Sequence, residues 1–182
     1  PWKENLKLSM PSIPYSQTKY IIENILNYYS NSNNNLSVAV LRYFNPIGAH
    51  ESGLIGESSK NSSNLVPSII DTMNGKNKIL NIYGNDYETP DGTGIRDYIH
   101  VIDLISGHIK ALNFLVEKGG YNIWNLGSGK GYSVMEVLRK FENISGKRIP
   151  FKYQPRRQGD LSQYWADIDK AKLELKWSPN KS

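Results

Sequence analysis

Leu36-Ser-Val-Ala-Val-Leu-Arg-Tyr-Phe44 is the stretch that decides the fold. Its centre, Val38-Ala-Val-Leu41, is an unbroken apolar run between a polar tract at 30–35 and the turn-forming Asn45-Pro46. A strand wetted on one face alternates apolar and polar residues. A continuous run predicts a strand covered on both faces, as in a parallel sheet flanked by helices. Just upstream, Tyr15, Lys19, Ile22, Ile25, Leu26 and Tyr29 recur at helical spacing. Pro14 suits the first turn of that helix, where its missing N–H would have had no partner.

Downstream, residues 45–64 are rich in Gly, Ser, Asn and Pro, and a loop of that length suggests function. The pattern then predicts a short helix at 65–73 and strands at 79–83, 98–102, 121–126 and 151–154. Helices are expected to open at Asp103, after Ser133 and at Asp169. Asp103 is the expected cap of the first of these, which would turn Leu104, Ile105, Ile109, Leu112 and Leu115 inward. Ser133 and Glu136 have capping-box spacing. Strands alternating with helices place the chain in the α/β class.

Composition narrows the function. The 182 residues contain no cysteine, which excludes disulfide scaffolds, thiolate zinc sites and cysteine nucleophiles. Three scattered histidines, His50, His100 and His108, do not suggest a metal site. The net charge of +5 comes from basic residues spread along the chain, with no run longer than Arg156-Arg157. That pattern is a solvated surface rather than a nucleic-acid footprint. No apolar run approaches the roughly 18 residues of a membrane span. The expectation is a soluble cytoplasmic chain that binds neither nucleic acid nor membrane.

Two motifs bear on chemistry. Gly127-Ser-Gly-Lys-Gly131 invites a dinucleotide reading, but Tyr132 stands where the fingerprint needs its third glycine, so a tight strand-to-helix turn is expected. Tyr15-Ser-Gln-Thr-Lys19 places a phenol and an ammonium on one helix face. A phenol is a poor base at neutral pH, and a nearby ammonium favours its ionised form, as an adjacent nicotinamide cation also would. That makes a tyrosine a usable proton shuttle for an alcohol.

Several further segments read together. They are Leu41-Arg-Tyr-Phe-Asn-Pro-Ile-Gly-Ala-His50, Asn64-Leu-Val-Pro67, Tyr83-Gly-Asn-Asp-Tyr87, Asp91-Gly-Thr-Gly-Ile-Arg-Asp-Tyr-Ile-His100, Asn125-Leu-Gly-Ser-Gly-Lys-Gly131 and Pro155-Arg-Arg-Gln-Gly-Asp160 with Tyr164-Trp-Ala-Asp167. Together with the Tyr15/Lys19 pair they resemble the UDP-galactose 4-epimerases, a branch of the extended short-chain dehydrogenases/reductases, over essentially the whole chain.

The resemblance implies a C-terminal two-thirds fragment of such an enzyme. Its fold would be the remnant of a Rossmann-type parallel sheet plus the smaller α/β substrate-binding domain. Residues 1–45 would belong to the NAD-binding part and 46–182 mainly to the substrate domain, with 97–118 packing back on the former. Tyr15 and Lys19 would be catalytic, and with Tyr43 they would also contact NAD. Tyr43, Phe44, Asn45, Asn64, Leu65, Asn81, Ile82, Tyr83, Arg96, Arg157, Asp160 and Tyr164 would bind the UDP-sugar, the two arginines clamping its diphosphate. A homodimer through the Tyr15–Lys19 helix is implied, and no metal.

The activity implied is interconversion of UDP-galactose and UDP-glucose by transient oxidation at C4. The catalytic serine and the glycine-rich phosphate loop would lie outside these residues, so the segment alone is expected to be inactive. Alternatives are another UDP-sugar epimerase, decarboxylase or dehydratase of the same family, or a non-catalytic nucleotide-sugar binding module.

Overall fold

The computed structural model describes residues 1–6, 13–33, 35–58 and 64–181. The part of the long loop at 59–63 therefore lies outside the described residues. The first helix, α1 (Pro14–Ser32), begins on Pro14 as the missing N–H predicts. It runs back alongside β1 (Val38–Tyr43). Glu23 of α1 pairs with Arg42 of β1, and Ser30 Oγ at the far end of the helix donates to the Leu36 carbonyl. This antiparallel placement carries the first turns of α1 beyond the carboxyl end of β1, since Tyr15 lies two turns, roughly 12 Å, before Glu23.

Strand β1 pairs in parallel with β6 (Tyr121–Leu126), in register from Val38 opposite Tyr121 to Tyr43 opposite Leu126. Only Val38 of β1 is buried, and Ala39 to Arg42 are half-buried. The continuous apolar run predicted fuller cover. Among the described residues β1 pairs only with β6, so its other edge is open.

Two cores organise the rest. In the first, Trp124 and Leu126 are fully buried against Leu104 and Ala111 of α3 (Val101–Lys118), Ala171 and Leu175 of α5 (Asp169–Leu175), and Trp177. In the second, Ile69 of α2 (Leu65–Met73) meets Leu80 and Ile82 of β3 (Leu80–Tyr83), Met135 and Leu138 of α4 (Val134–Ser145), and Ile149. Strand β3 pairs in parallel with β8 (Phe151–Gln154). Both halves of the Ser133/Glu136 capping box form at the start of α4.

Helix α3 differs from its sequence reading at both cap and face. His100, not Asp103, is the cap, its ring Nδ1 accepting from the Ile102 amide at 3.1 Å. Asp103 sits buried in the first turn and accepts from the Lys181 amide. The buried stripe is Leu104, Gly107 and Ala111, while Ile105, Ile109 and Leu112 are exposed. Close approach explains this: a Cβ on Gly107 would stand 2.8 Å from a Leu126 methyl, so the helix rolls its smallest residues toward the sheet.

Short strands link the two cores. Strand β2 (Asn45–Ile47) pairs in parallel with β5 (Tyr98–His100). A three-stranded sheet joins β7 (Tyr132–Ser133), β4 (Ile95–Arg96) and β9 (Gln163–Tyr164), with β4 central. At two or three residues these strands carry no readable period, and β2, β4, β7 and β9 escape the sequence reading. The expected strand at 98–102 stops at His100, where α3 begins. No described helix is long and apolar enough to cross a membrane.

Candidate active site

A cleft of about 580 Å³ lies against the second core, within the range of small-molecule sites. Strand β2 brings Asn45 to it. The N-terminus of α2 brings Asn64 and Leu65, and β3 brings Asn81, Ile82 and Tyr83. The linking strands supply Arg96 and Tyr164, and the turn after β8 supplies Arg157 and Asp160. Ten of the residues read from sequence as substrate ligands thus share one cavity. Alternation along β3 turns Asn81 and Tyr83 outward and buries Ile82 in the core, so Ile82 can offer the cleft only backbone.

The arginines are built in rather than solvated. Arg96 is 15% exposed, its guanidinium lies 4.8 Å from the centre of the Tyr164 ring, and Nη2 is 3.7 Å from Asp160. Nη1 donates to the Ile95 carbonyl at 2.8 Å. The Arg157 guanidinium lies 3.9 Å above the Tyr83 ring. A planar cation stacked on an aromatic face keeps its N–H edge directed outward for an anion. Arg156, the neighbour of Arg157, instead pairs with Asp86 and stacks on Tyr87. Asn64 donates to Glu57 at 2.7 Å, and the side chain of Asn45 hydrogen-bonds the Tyr164 phenol. Burial pushes that phenol up, and the Arg96 charge opposes the shift.

The remaining candidates lie outside the cavity lining. Tyr15 is 71% exposed, with Lys19 Nζ 5.4 Å from its ring centre. Tyr43 is exposed at the carboxyl end of β1, 6.1 Å from the His108 ring. Phe44 packs on Tyr164, ring centres 5.7 Å apart, and so backs the cleft wall. The cleft and the tyrosine helix nevertheless adjoin. Ile13, the residue before α1, presses its side chain into the space beside Gly159, between Arg157 and Asp160.

Sequence reasoning missed several lining residues: Tyr98, Tyr87, Lys76, Lys78 and Glu57. Tyr98 carried a usable signal, being two residues beyond Arg96 along extended chain and therefore on the same side. Burial, opposed by the Arg96 charge, pushes the Tyr98 phenol up to about 12 from 10.0. Above pH 10 the unfolded chain loses this proton while the folded chain keeps it. The corresponding stability is intact below about pH 10 and drains away toward pH 12, at up to about 1.4 kcal/mol per pH unit. Denaturant midpoints measured from pH 9 to 11.5 should show this fall, with a shallower slope in Tyr98→Phe. An identical slope in the variant would contradict the assignment.

Glycine-rich 127–131 forms the tight turn expected of it, and it encloses a side chain of the chain itself. The fully buried Asp97 carboxylate accepts from the Ser128 amide at 2.7 Å, the Ser128 hydroxyl at 2.6 Å and the Gly129 amide at 3.1 Å.

Parallel strand pairs backed by helices, with a polar cleft on a separate small core, define a Rossmann-type α/β chain. The chain belongs to the GDP-mannose 4,6 dehydratase family, whose sequence model matches residues 1–182. It is 50% identical over 165 residues to the UDP-glucose 4-epimerase of Bacillus subtilis, which covers 90% of this chain and 49% of that protein. It is 46% identical to the UDP-glucose 4-epimerase of Bos taurus, covering 91% and 48%. Among solved structures, the UDP-glucose-4-epimerase from Stenotrophomonas maltophila with bound NAD and formylated UDP-arabinopyranose superposes with a TM-score of 0.95 at 42% identity. That match covers 100% of this chain and 54% of the other. The enzyme from Bifidobacterium longum in complex with NAD+ and UDP gives the same values. The chain spans about half the length of the curated relatives it matches, less than the two-thirds expected.

Proposed function

We propose that the chain is the nucleotide-sugar-binding portion of a cytoplasmic NAD-dependent epimerase that interconverts UDP-galactose and UDP-glucose. The observation that carries this reading is the placement of Arg96 and Arg157, each stacked on a tyrosine of one cleft, with a phenol–ammonium helix adjoining its rim. The names of the relatives point the same way.

Inverting a carbinol requires its C–H bond to break, and that hydrogen is not acidic. NAD, when bound, supplies the hydride acceptor and donor for this. The residues present fit its nicotinamide end. Tyr43 lies at the carboxyl end of a parallel strand and the first turns of α1 lie past it, where ligands bind in open α/β sheets, and the exposed Tyr15 and Tyr43 rings offer flat surfaces. Tyr15 would take the proton from the sugar O4 and return it. Lys19 would hold the phenol and a ribose hydroxyl, and Tyr43 would lie beside the nicotinamide and the sugar.

Within the cleft, Arg96 and Arg157 would grip the diphosphate and Tyr83 would cover the uracil ring, with Asn81 and the Ile82 backbone at its edge. Asp160 would accept from the ribose. Asn45, Asn64, Leu65, Phe44 and Tyr164 would border the sugar. Anchoring by the nucleotide leaves the sugar free to turn over while it is a 4-ketone, and binding energy from the non-reacting part supports the reaction. Residues 1–45 would serve the NAD side and 46–182 mainly the substrate side, with α3 joining them. A homodimer through α1 is supported by its exposed Ile21, Ile22, Ile25, Tyr28 and Tyr29.

Titration of the chain with UDP tests the cleft, and conversion of UDP-galactose by the full-length protein tests the reaction. Saturable binding of UDP and NAD-dependent appearance of UDP-glucose are expected. Absence of UDP binding would remove the reading.

A further inference from the structure

The glycine turn at 127–131 and the cleft are connected through one side chain that neither accounts for. Backbone N–H groups converging at a left-handed glycine form an anion-binding nest, the arrangement that elsewhere holds phosphate. Gly129 has φ +77°, and the anion in its nest is the Asp97 carboxylate. A fourth donor, the Ala166 amide, comes from the segment just after β9 and reaches the same carboxylate at 3.1 Å. The Asp97 carbonyl in turn accepts from the Asn45 amide at 3.1 Å.

Three cleft groups therefore hang on this residue. Arg96 is its neighbour in sequence, Tyr164 is two residues from Ala166, and Asn45 is bonded to its backbone. The fit leaves no slack, because a Cβ on Gly127 would stand 2.5 Å from Asp97 Oδ2 and 2.6 Å from Ala166 Cβ. A carboxylate with 0% exposure is held only if its donors are fixed, and fixed donors in turn fix the segments that carry them.

We propose that Asp97, seated in the Gly127–Gly129 nest, is the positioning residue for diphosphate recognition: it sets the Arg96 guanidinium and the Tyr164 wall at the separation the ligand needs. The inference rests on the UDP-sugar reading of the cleft. The uracil end of the cleft, on β3, is built on the second core and makes no hydrogen bond to Asp97 among the described residues. Asp97 should therefore govern diphosphate affinity and not nucleoside affinity.

In Asp97→Asn, an NH2 group faces donors where an oxygen accepted them. The measurement compares UDP and uridine binding to the chain, by calorimetry and ligand-observed NMR. UDP should bind about tenfold more weakly to the variant while uridine binds as before. Ser128→Ala removes one donor, leaves the carboxylate seated, and should show the same selective loss at about threefold, which carries the test should Asp97→Asn fail to fold. Equal weakening of both ligands, or no change in either, overturns the proposal. A wild-type chain that binds no UDP overturns the cleft reading instead.

Discussion

Tyr15→Phe in the full-length protein should slow conversion of UDP-galactose by about 10²- to 10⁴-fold while UDP binding stays within a factor of about two. The substitution removes one oxygen and keeps the ring, so stability should hardly change. It leaves Arg96, Arg157 and the β3 wall untouched, so the nucleotide should bind normally. In the proposed reaction it removes the group that would accept the O4 proton as the C4 hydrogen departs. Lys19, 5.4 Å from the ring centre, has no partner to polarise in the variant. Steady-state turnover and UDP titration on the same preparation check this. Full turnover in the variant would move the proton transfer to another residue. A binding module would show no turnover in either form.

Arg96→Ala should weaken UDP by roughly 100-fold, about 3 kcal/mol, with uridine affinity unchanged. The size follows from burial. A guanidinium 15% exposed, stacked on Tyr164 and facing Asp160, meets an anion with little water left to screen it. Truncation also leaves Asp160 without its cation, so a carboxylate then faces the diphosphate. Arg96→Lys should recover only part of the loss, because an ammonium lacks both the planar stack and the two-pronged donor edge. Calorimetry with UDP and uridine separates the outcomes. A variant that binds UDP as tightly as the wild type would show that the diphosphate lies elsewhere.

Much of the fold was legible because long periodic segments announce themselves. Helix α1 forms where its spacing predicts, although Tyr15, Ile22, Ile25 and Tyr29 are exposed, and α2, β6 and β8 fall on the residues expected of them. The capping box at Ser133 was readable because it is a local exchange between side chain and backbone. Helix α3 was misread where neighbours decided the outcome. Its bulky Ile105, Ile109 and Leu112 fit the period for burial, yet Gly107 and Ala111 face the sheet because Leu126 needs the room. The cleft was legible as a set of residues and illegible as a place. Arg96 and Arg157 are far apart in sequence, and the sheet β7-β4-β9 and the turn after β8 that unite them contain no strand long enough to show a period.

The sequence by itself determined the α/β class and the helix carrying Tyr15 and Lys19, because periodicity is a property of the chain alone, while the grouping of the polar side chains rested on the resemblance to the UDP-galactose 4-epimerases. Only the tertiary structure decided that Asp97 is buried, that the Gly127–Gly129 turn cradles this carboxylate, and that Arg96 stacks on Tyr164 beside Asp160. Those facts depend on contacts between distant segments. Such contacts are set by which surfaces can approach closely and which buried donors find an acceptor, and neither condition is written in local spacing.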